Sequence, residues 1–448
     1  MQIPCTIPQT SACERGALEL IVALRKHGYE AYTVGGGIRD RLVGRTPKDA
    51  DITTNALPEE VLKLFPHTIP VGQAFGVIIV VHEGINYEIA TFREDADYTD
   101  GRRPGSVTFS TAEEDAKRRD FTINALFYDP IEEILIDVVD GLTDLRKGHI
   151  RAIGVPGERF SEDYLRMLRA VRFTAELGFT LDPATATAIR AQAASVSGVS
   201  GERIHAEVTK MLIGRNPRYA FELMHELGLL QYVLPEIETM IGVEQPKQYH
   251  PEGDVWIHTM MMLDRIRMRG PELAWAVLLH DVGKPGTFEL SDEGVERFPC
   301  HARLGADMTK DILKRLKCSN SFIEDVSTAV YNHMSFADVQ KMRKSTLRRL
   351  LGRGTFALEL ELHRIDCMAS HGSIDNYAFL LDKLDELKHE PILPPPLLSG
   401  KDLMELGMKP GPRFGVLLRQ IEELHLEGVI ADKDAAIGWI KEQPTDNG

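Results

Sequence analysis

The rhythm of apolar positions changes once along this chain. Up to about residue 154, helical and alternating patterns are mixed. GALELIVALRKHG (16–28) has helical spacing and a glycine stop. AYTVGGG (31–37) predicts a strand running into a glycine turn, DADITT (49–54) alternates as a strand, and LPEEVLKLF (57–65) has helical spacing. FGVIIVVHEGINYEIATF (75–92) predicts a hairpin with its turn near Glu83–Asn86, and EILIDVVDG (133–141) one further strand. From about residue 155 strand signals almost vanish and helical periodicity runs to the end. The proline-rich EPILPPP (390–396) predicts a stiff linker, followed by the helical segments KDLMELG and GVLLRQIEELHLEG. The expected fold class is therefore α+β: an α/β unit followed by an all-α remainder. The expected divisions are 1–154, 155–235, 236–390 and 391–448.

Composition narrows the function classes. The chain has 448 residues, more than one domain usually holds. Nothing in it is long and apolar enough to span a bilayer, so no membrane partner is expected. MQIPCTIPQTSACERG lacks the basic flank and apolar run of a signal peptide. The five cysteines form neither a C-x-x-C pair nor a disulfide framework, which predicts a reducing, cytoplasmic setting. The net charge of −15 weighs against a uniformly basic RNA-binding surface, but phosphate contacts need only a local basic groove. Oligomeric state is left open.

The first candidate chemistry lies at Asp49 and Asp51. Residues i and i+2 of a strand share a face. Two carboxylates side by side repel unless a cation lies between them, and Mg²⁺ favours carboxylate oxygens while leaving room for phosphates. A bare D-x-D is more often an ordinary pair of surface acids. Its upstream context changes the weighing. TVGGGIRDRLVG puts glycines where a strand passes into a helix, and a phosphate can approach such a backbone. Arg39, on the first helical turn, is a bidentate phosphate donor. Glu88, on the neighbouring strand, is a further metal-facing candidate.

GGGIRD, with Asp49 ten residues after Arg39, resembles the polymerase-β-type nucleotidyltransferase superfamily. It is closer still to the class II tRNA nucleotidyltransferase and poly(A) polymerase family. KRRDFTINALFYD (117–129), SEDYLRMLRAVRF (161–173) and TFREDADYTDGRRPGSVTF (91–109) resemble three further segments of that family: its second motif, its nucleotide-selecting motif, and its flexible loop with flanks. The resemblance implies a polymerase-β-type α/β head (1–154) and an all-α neck (155–235). It implies that Asp49 and Asp51 hold Mg²⁺, that Gly36 and Arg39 bind the triphosphate, and that Arg119 contacts the incoming nucleotide. Asp163 and Arg166 would pair with the edge of the incoming base. A carboxylate accepts from an exocyclic amine and a guanidinium donates to ring acceptors, so C and A are selected without a template. Asp163, Arg166, Arg169 and Arg172 step by three; on a helix each step drifts by about 60°, which turns Arg172 nearly opposite Asp163. Arg169 and Arg172 are therefore expected at phosphates or as braces between packed elements.

A second constellation follows. His258, His280–Asp281 and Asp366, with His301, His333 and Lys284, are ordered as in the HD metal-dependent phosphohydrolase superfamily, which they resemble. This implies an HD-type helical body (236–390) and a helical tail (391–448) that contacts tRNA. His258, His280, Asp281 and Asp366 would make a first metal site, and His301 and His333 complete a second. Imidazoles with carboxylates suit a transition metal, Ni, Mn, Co or Fe, as well as Mg²⁺. A metal-stabilised scaffold without turnover is the bland alternative.

The function implied is addition of CCA to the 3′ end of tRNA from CTP and ATP. Poly(A) polymerase is disfavoured because residues 70–81 resemble the CCA-type segment and lack the arginine-rich form. CC-only addition is disfavoured by the intact loop DGRRPGSVTF. A-only addition stays open. From other classes, an RNA or nucleotide phosphohydrolase with a vestigial head, or a non-catalytic RNA-binding module, would have no use for the paired carboxylates.

Overall fold

The structure is a computed structural model, and it describes residues 1–70, 76–96, 106–248, 250–267 and 270–443. Residues 71–75, which belong to the segment read above as CCA-type, and 97–105, the centre of the loop, lie outside these. The chain divides into two compact units, Met1–Glu238 with Arg315–Lys317, and Thr239–Lys314 with Cys318–Gly448.

In the first unit, helix α1 (Ala12–Lys26) starts four residues before the expected segment. Ser11 caps it and Glu14 answers in a reciprocal capping box. The strands are β1 (Gln2–Pro4), β2 (Ala31–Val34), β3 (Asp51–Thr54), β4 (Thr68–Ile69), β5 (Val77–His82), β6 (Ile85–Thr91), β7 (Arg93–Ala96), β8 (Ser106–Phe109), β9 (Leu126–Asp129) and β10 (Ile134–Asp137). Eight of them form one sheet in the order β1-β10-β9-β2-β3-β6-β5-β4, while β7 and β8 pair separately. The hairpin β5–β6 turns at Glu83 and Gly84, both with positive φ, as its sequence predicts. The pairing of β3 with β6 is parallel, in the register Ile52↔Ile89 and Thr53↔Ala90. Leu20, Ile21 and Leu24 of α1 pack with Ile52, Ile78 and Ile89 of the sheet in a fully buried core.

Helices α2 (Gly36–Leu42), α3 (Pro58–Leu64), α4 (Ala112–Lys117) and α5 (Gly141–Lys147) surround the sheet strands in sequence, and α6 (Pro156–Glu162) to α9 (Gly201–Leu212) follow it. The helical expectation from residue 155 omits one short parallel pair, β11 (His149–Ile150) with β12 (Thr180–Leu181). A second correction concerns 161–173. This segment is not one helix. Asp163 is extended (φ −153°, ψ 102°) between α6 and α7 (Leu165–Leu177). Its carboxylate accepts the Leu165 N–H at 3.1 Å.

The second unit is built from helices Val255–Asp264, Pro271–Leu279, His301–Arg315, Asn320–Asn332 and Phe356–Ala369, with one small hairpin, β13 (Glu289–Leu290) and β14 (Glu296–Arg297). Two-residue strands carry no readable alternation. The tail helices Gly400–Glu405, Pro412–Glu427 and Lys433–Lys441 share a core of Leu403, Leu417, Ile421 and Ile440. Among the described residues no helix is long and apolar enough to cross a membrane.

Candidate functional site

The glycine turn sets the first site. Gly35 caps α2 at φ +79°, a conformation that disfavours any side chain. A Cβ on Gly37 would lie 2.9 Å from the Asp49 carbonyl oxygen, so α2 can approach the carboxylate segment only through a glycine. Gly36 is open, with only an Arg39 nitrogen nearby. Asp51 opens β3 opposite Val34, and Asp49 precedes the strand, exposed. Continuing the parallel register by one residue sets Glu88 beside Asp51. Burial, then the charges of Asp49 and Glu88, push the Asp51 carboxyl up to about 7, against the opposing pull of Arg119. Asp51 thus carries the repulsion of two further carboxylates with one guanidinium near it, a surrounding short of positive charge, which fits a hard divalent cation.

Arg119 lies at this cluster: its Nη1 is 3.8 Å from where a Cβ of Gly35 would be, and its Nε and Nη2 donate to buried Asp115. Arg39 is buried. It donates to Asp40 at 2.9 and 2.7 Å and to Asn124 at 2.8 Å, and it stands 5.0 Å from the Phe173 ring. Its fork is thus engaged within the protein. Arg169 donates to Asp120 at 2.7 Å, and Arg172 to Glu207 at 2.6 Å. Both also lie over Phe173, at 5.2 and 4.1 Å. Arg166 donates to Glu162 at 2.5 Å and to the Arg159 and Arg118 carbonyls. Asp163 is gripped by both Arg203 nitrogens, at 3.0 and 2.7 Å. Arg203, Asn124 and Glu207 escaped sequence reasoning, because nothing in their spacing ties them to partners so far along the chain.

The second site is assembled from five helices and the residues flanking them. His280, His301 and His333 each place Nδ1 2.6–2.9 Å from the carbonyl oxygen three residues earlier, of Val277, Phe298 and Val330. Their Nε2 atoms turn inward. Among the described residues three groups of ligand atoms gather: His258, His280 and Asp366; Asp281, His301 and His333; and His250, Glu252 and His258. The grouping expected from sequence put Asp281 with the first. Its Oδ2 does lie 3.0 Å from His280 Nε2, but its Oδ1 faces His301 and His333 at 3.5 and 3.7 Å, so Asp281 stands between the first two groups. His258 Nε2 is 3.1 Å from Asp366 Oδ1, yet His258 Nε2, His280 Nε2 and Asp281 Oδ1 are buried without an aligned hydrogen bond. Buried polar atoms that converge without bonding one another fit a metal ion. Burial raises the Asp366 carboxyl, but His258 and His280 outweigh it and hold the group well below the carboxylate range. Lys284 reaches Asp281 at 2.7 Å and Gln245 at 2.6 Å. A cavity of about 950 Å³ opens on Asp281, His301, His333 and Asp366.

Known proteins resemble this chain in sequence and fold. Residues 31–151 match the family model of the poly A polymerase head domain, 178–241 that of the probable RNA- and SrmB-binding site of polymerase A, and 254–387 that of the HD domain. A CCA-adding enzyme of Lactobacillus johnsonii is 35% identical over 424 residues, 94% of this chain and 95% of the relative. One of Geobacillus kaustophilus is 49% identical over 218 residues, where the match spans 48% of this chain and about half (54%) of the relative. The crystal structure of the Bacillus stearothermophilus CCA-adding enzyme in complex with CTP superimposes with a TM-score of 0.74 at 30% identity, covering 97% of this chain and 98% of that one.

Proposed function

Because the chain belongs to the family of CCA-adding enzymes, the tRNA nucleotidyltransferases, we propose that it adds CCA to the 3′ end of tRNA from CTP and ATP at the Asp49–Asp51 cluster. The observation that carries this reading is Asp51, under the charges of Asp49 and Glu88, beside a glycine turn that leaves the backbone open to a triphosphate. The all-oxygen donor set favours Mg²⁺, which when bound there supplies Lewis-acid stabilisation of phosphate charge. Gly36 leaves space for the phosphates, and Arg119 and Arg39 supply positive charge beside them. Glu88 joins Asp49 and Asp51 as a third acid. Asp163 accepts from the exocyclic amine of C or A, and Arg166 donates to the ring. A carboxylate has about four lone-pair sites, so the grip of Arg203 on Asp163 leaves acceptor capacity for the base. Arg169 and Arg172 brace α7 through Asp120 and Glu207 and keep positive charge near the nucleotide.

The division of labour follows the chain: a nucleotidyltransferase head (1–154), a base-selecting neck (155–235), an HD body (236–390) and a tail that contacts tRNA (391–448). Five free thiols support a cytoplasmic setting. The test is incubation of purified protein with Mg²⁺, tRNA lacking its 3′ end, and NTPs singly and in pairs, followed by product sequencing. CTP alone gives CC, and CTP with ATP gives CCA. Addition of A only to tRNA already ending in CC would replace this reading with A-only addition, and long A tracts would replace it with a poly(A) polymerase.

The cavity beside Asp281 and Lys284 favours a second activity, metal-dependent hydrolysis of a phosphate ester such as a 2′,3′-cyclic phosphate. The imidazole and carboxylate ligands His258, His280, Asp281 and Asp366, with His301 and His333, suit Ni, Mn, Co or Fe. Such an ion supplies a nucleophile at neutral pH and Lewis acidity toward phosphate. Lys284 is placed to hold Asp281 and to attract the phosphate.

A further inference from the structure

Three of the histidines in the second cluster are oriented by the main chain, but His258 is not. Its Nδ1 lies 2.5 Å from Glu252 Oε1, in the loop before its own helix. The same oxygen lies 2.9 Å from His250 Nδ1. Glu252's side chain is 4% exposed, and its second oxygen is buried with no partner. His258 is fully buried, with its other nitrogen turned to Asp366. We infer that Glu252 is the positioning residue of the metal cluster: it fixes the Nδ1–H form of His258 and so keeps the Nε2 lone pair aimed at the cation.

The physical argument is one of acceptors. A neutral imidazole carries one proton, and the nitrogen that keeps it is the one facing an acceptor. Both nitrogens of His258 face carboxylates, Glu252 at Nδ1 and Asp366 at Nε2; once a cation takes the Nε2 side, Glu252 is the acceptor that holds the Nδ1 proton. A carboxylate in this place also raises the basicity of the ligand nitrogen more than a carbonyl does. His258 thereby becomes the strongest donor of the group. Glu252 does a second job through the same oxygen. His250 lines the cavity, so its ring and that of His258, with centroids 4.8 Å apart, are locked into one orientation.

The inference rests on the reading that His258, His280 and Asp366 hold a cation, and the experiment separates the two. Ni²⁺ binding to the full chain is measured by calorimetry with Mg²⁺ present to occupy the head carboxylates. Wild type, His258→Ala, Glu252→Ala and Glu252→Gln are compared. Glu252→Ala is expected to weaken Ni²⁺ roughly ten- to a hundredfold, and Glu252→Gln, which keeps an acceptor oxygen, to recover part of that. An unchanged circular dichroism spectrum and melting transition of each metal-free variant show that the helical body is folded. If His258→Ala binds Ni²⁺ as wild type does, the cation reading itself fails. If His258→Ala is weakened while Glu252→Ala keeps wild-type affinity, Glu252 has no positioning role and the inference is overturned.

Discussion

In the first unit Asp51 and Glu88 lie on adjoining strands and Asp49 just before the first of them, with Asp49 and Glu88 exposed. In the second, six ligand residues converge at a largely buried cluster, and three imidazoles are held from behind by carbonyls of their own chain segments. The first arrangement is costly until a cation arrives: like charges face one another, and Asp51 holds its proton up to about 7. The second is held in place before any ion binds. A site that must admit a large RNA end and release it is best left open and under-compensated. A site that retains its ion is best preformed.

The largest expected effect would break this comparison outright. Asp51→Ala or Asp49→Ala should lower nucleotide addition roughly a thousandfold or more while leaving phosphohydrolysis in place. Incorporation assays on each variant decide it, and near-parental rates would remove the carboxylates from the chemistry. The converse variant is Asp281→Ala, at the junction of two ligand groups. It should abolish metal-dependent hydrolysis of 2′,3′-cyclic phosphates and leave CCA addition at the parental rate. Hydrolysis that persists in this variant would make the cluster a scaffold.

Finer effects sharpen the picture of the neck. Asp163→Ala should admit UTP or GTP into a visible fraction of products, since each lost hydrogen bond relaxes discrimination by about 1–3 kcal/mol. Sequencing of products made with all four NTPs present reads this directly. Arg172→Ala should leave C and A selection intact but lower the melting temperature, because Glu207 is then buried without its 2.6 Å partner.

The smallest expected effect depends on pH. Burial raises the Asp120 carboxyl, but Arg169 and Asn124 outweigh it and hold the group down to about 2, below the ordinary 3.8. Its stabilisation is therefore complete above about pH 4 and lost as pH falls toward 2, on the order of 2 kcal/mol. Thermal unfolding of Asp120→Asn should fall below wild type at pH 5 and converge with it near pH 2.

Legibility differed between the sites in the same way as their construction. Asp49, Asp51 and the glycine turn are neighbours in sequence, so they could be read together, although neither the D-x-D nor the turn was specific alone. The hairpin β5–β6 was readable from two runs rich in β-branched residues on either side of Glu83–Gly84. The parallel contact of β3 with β6 was not, since register between distant strands leaves no local trace. The break at Asp163 was hidden because SEDYLRML contains neither glycine nor proline. It is made instead by a carboxylate that caps α7 and by Arg203, forty residues away. In the helical body the ligand residues were legible by type and order. The sharing of Asp281 between two groups was not, because it depends on which oxygen faces which helix.

The carbonyl clamps on His280, His301 and His333 carry an evolutionary consequence. A main-chain oxygen survives every substitution at Val277, Phe298 or Val330 so long as the backbone keeps its path. Those three histidines are therefore insulated from loss of a supporting side chain, though Val277 and Val330 are themselves buried and constrained by packing. His258 depends on a side chain, and a single nucleotide change at the Glu252 codon can remove its support. Lineages in which the histidine cluster decays while the head is retained should lose that glutamate early, before any of the cluster's histidines changes.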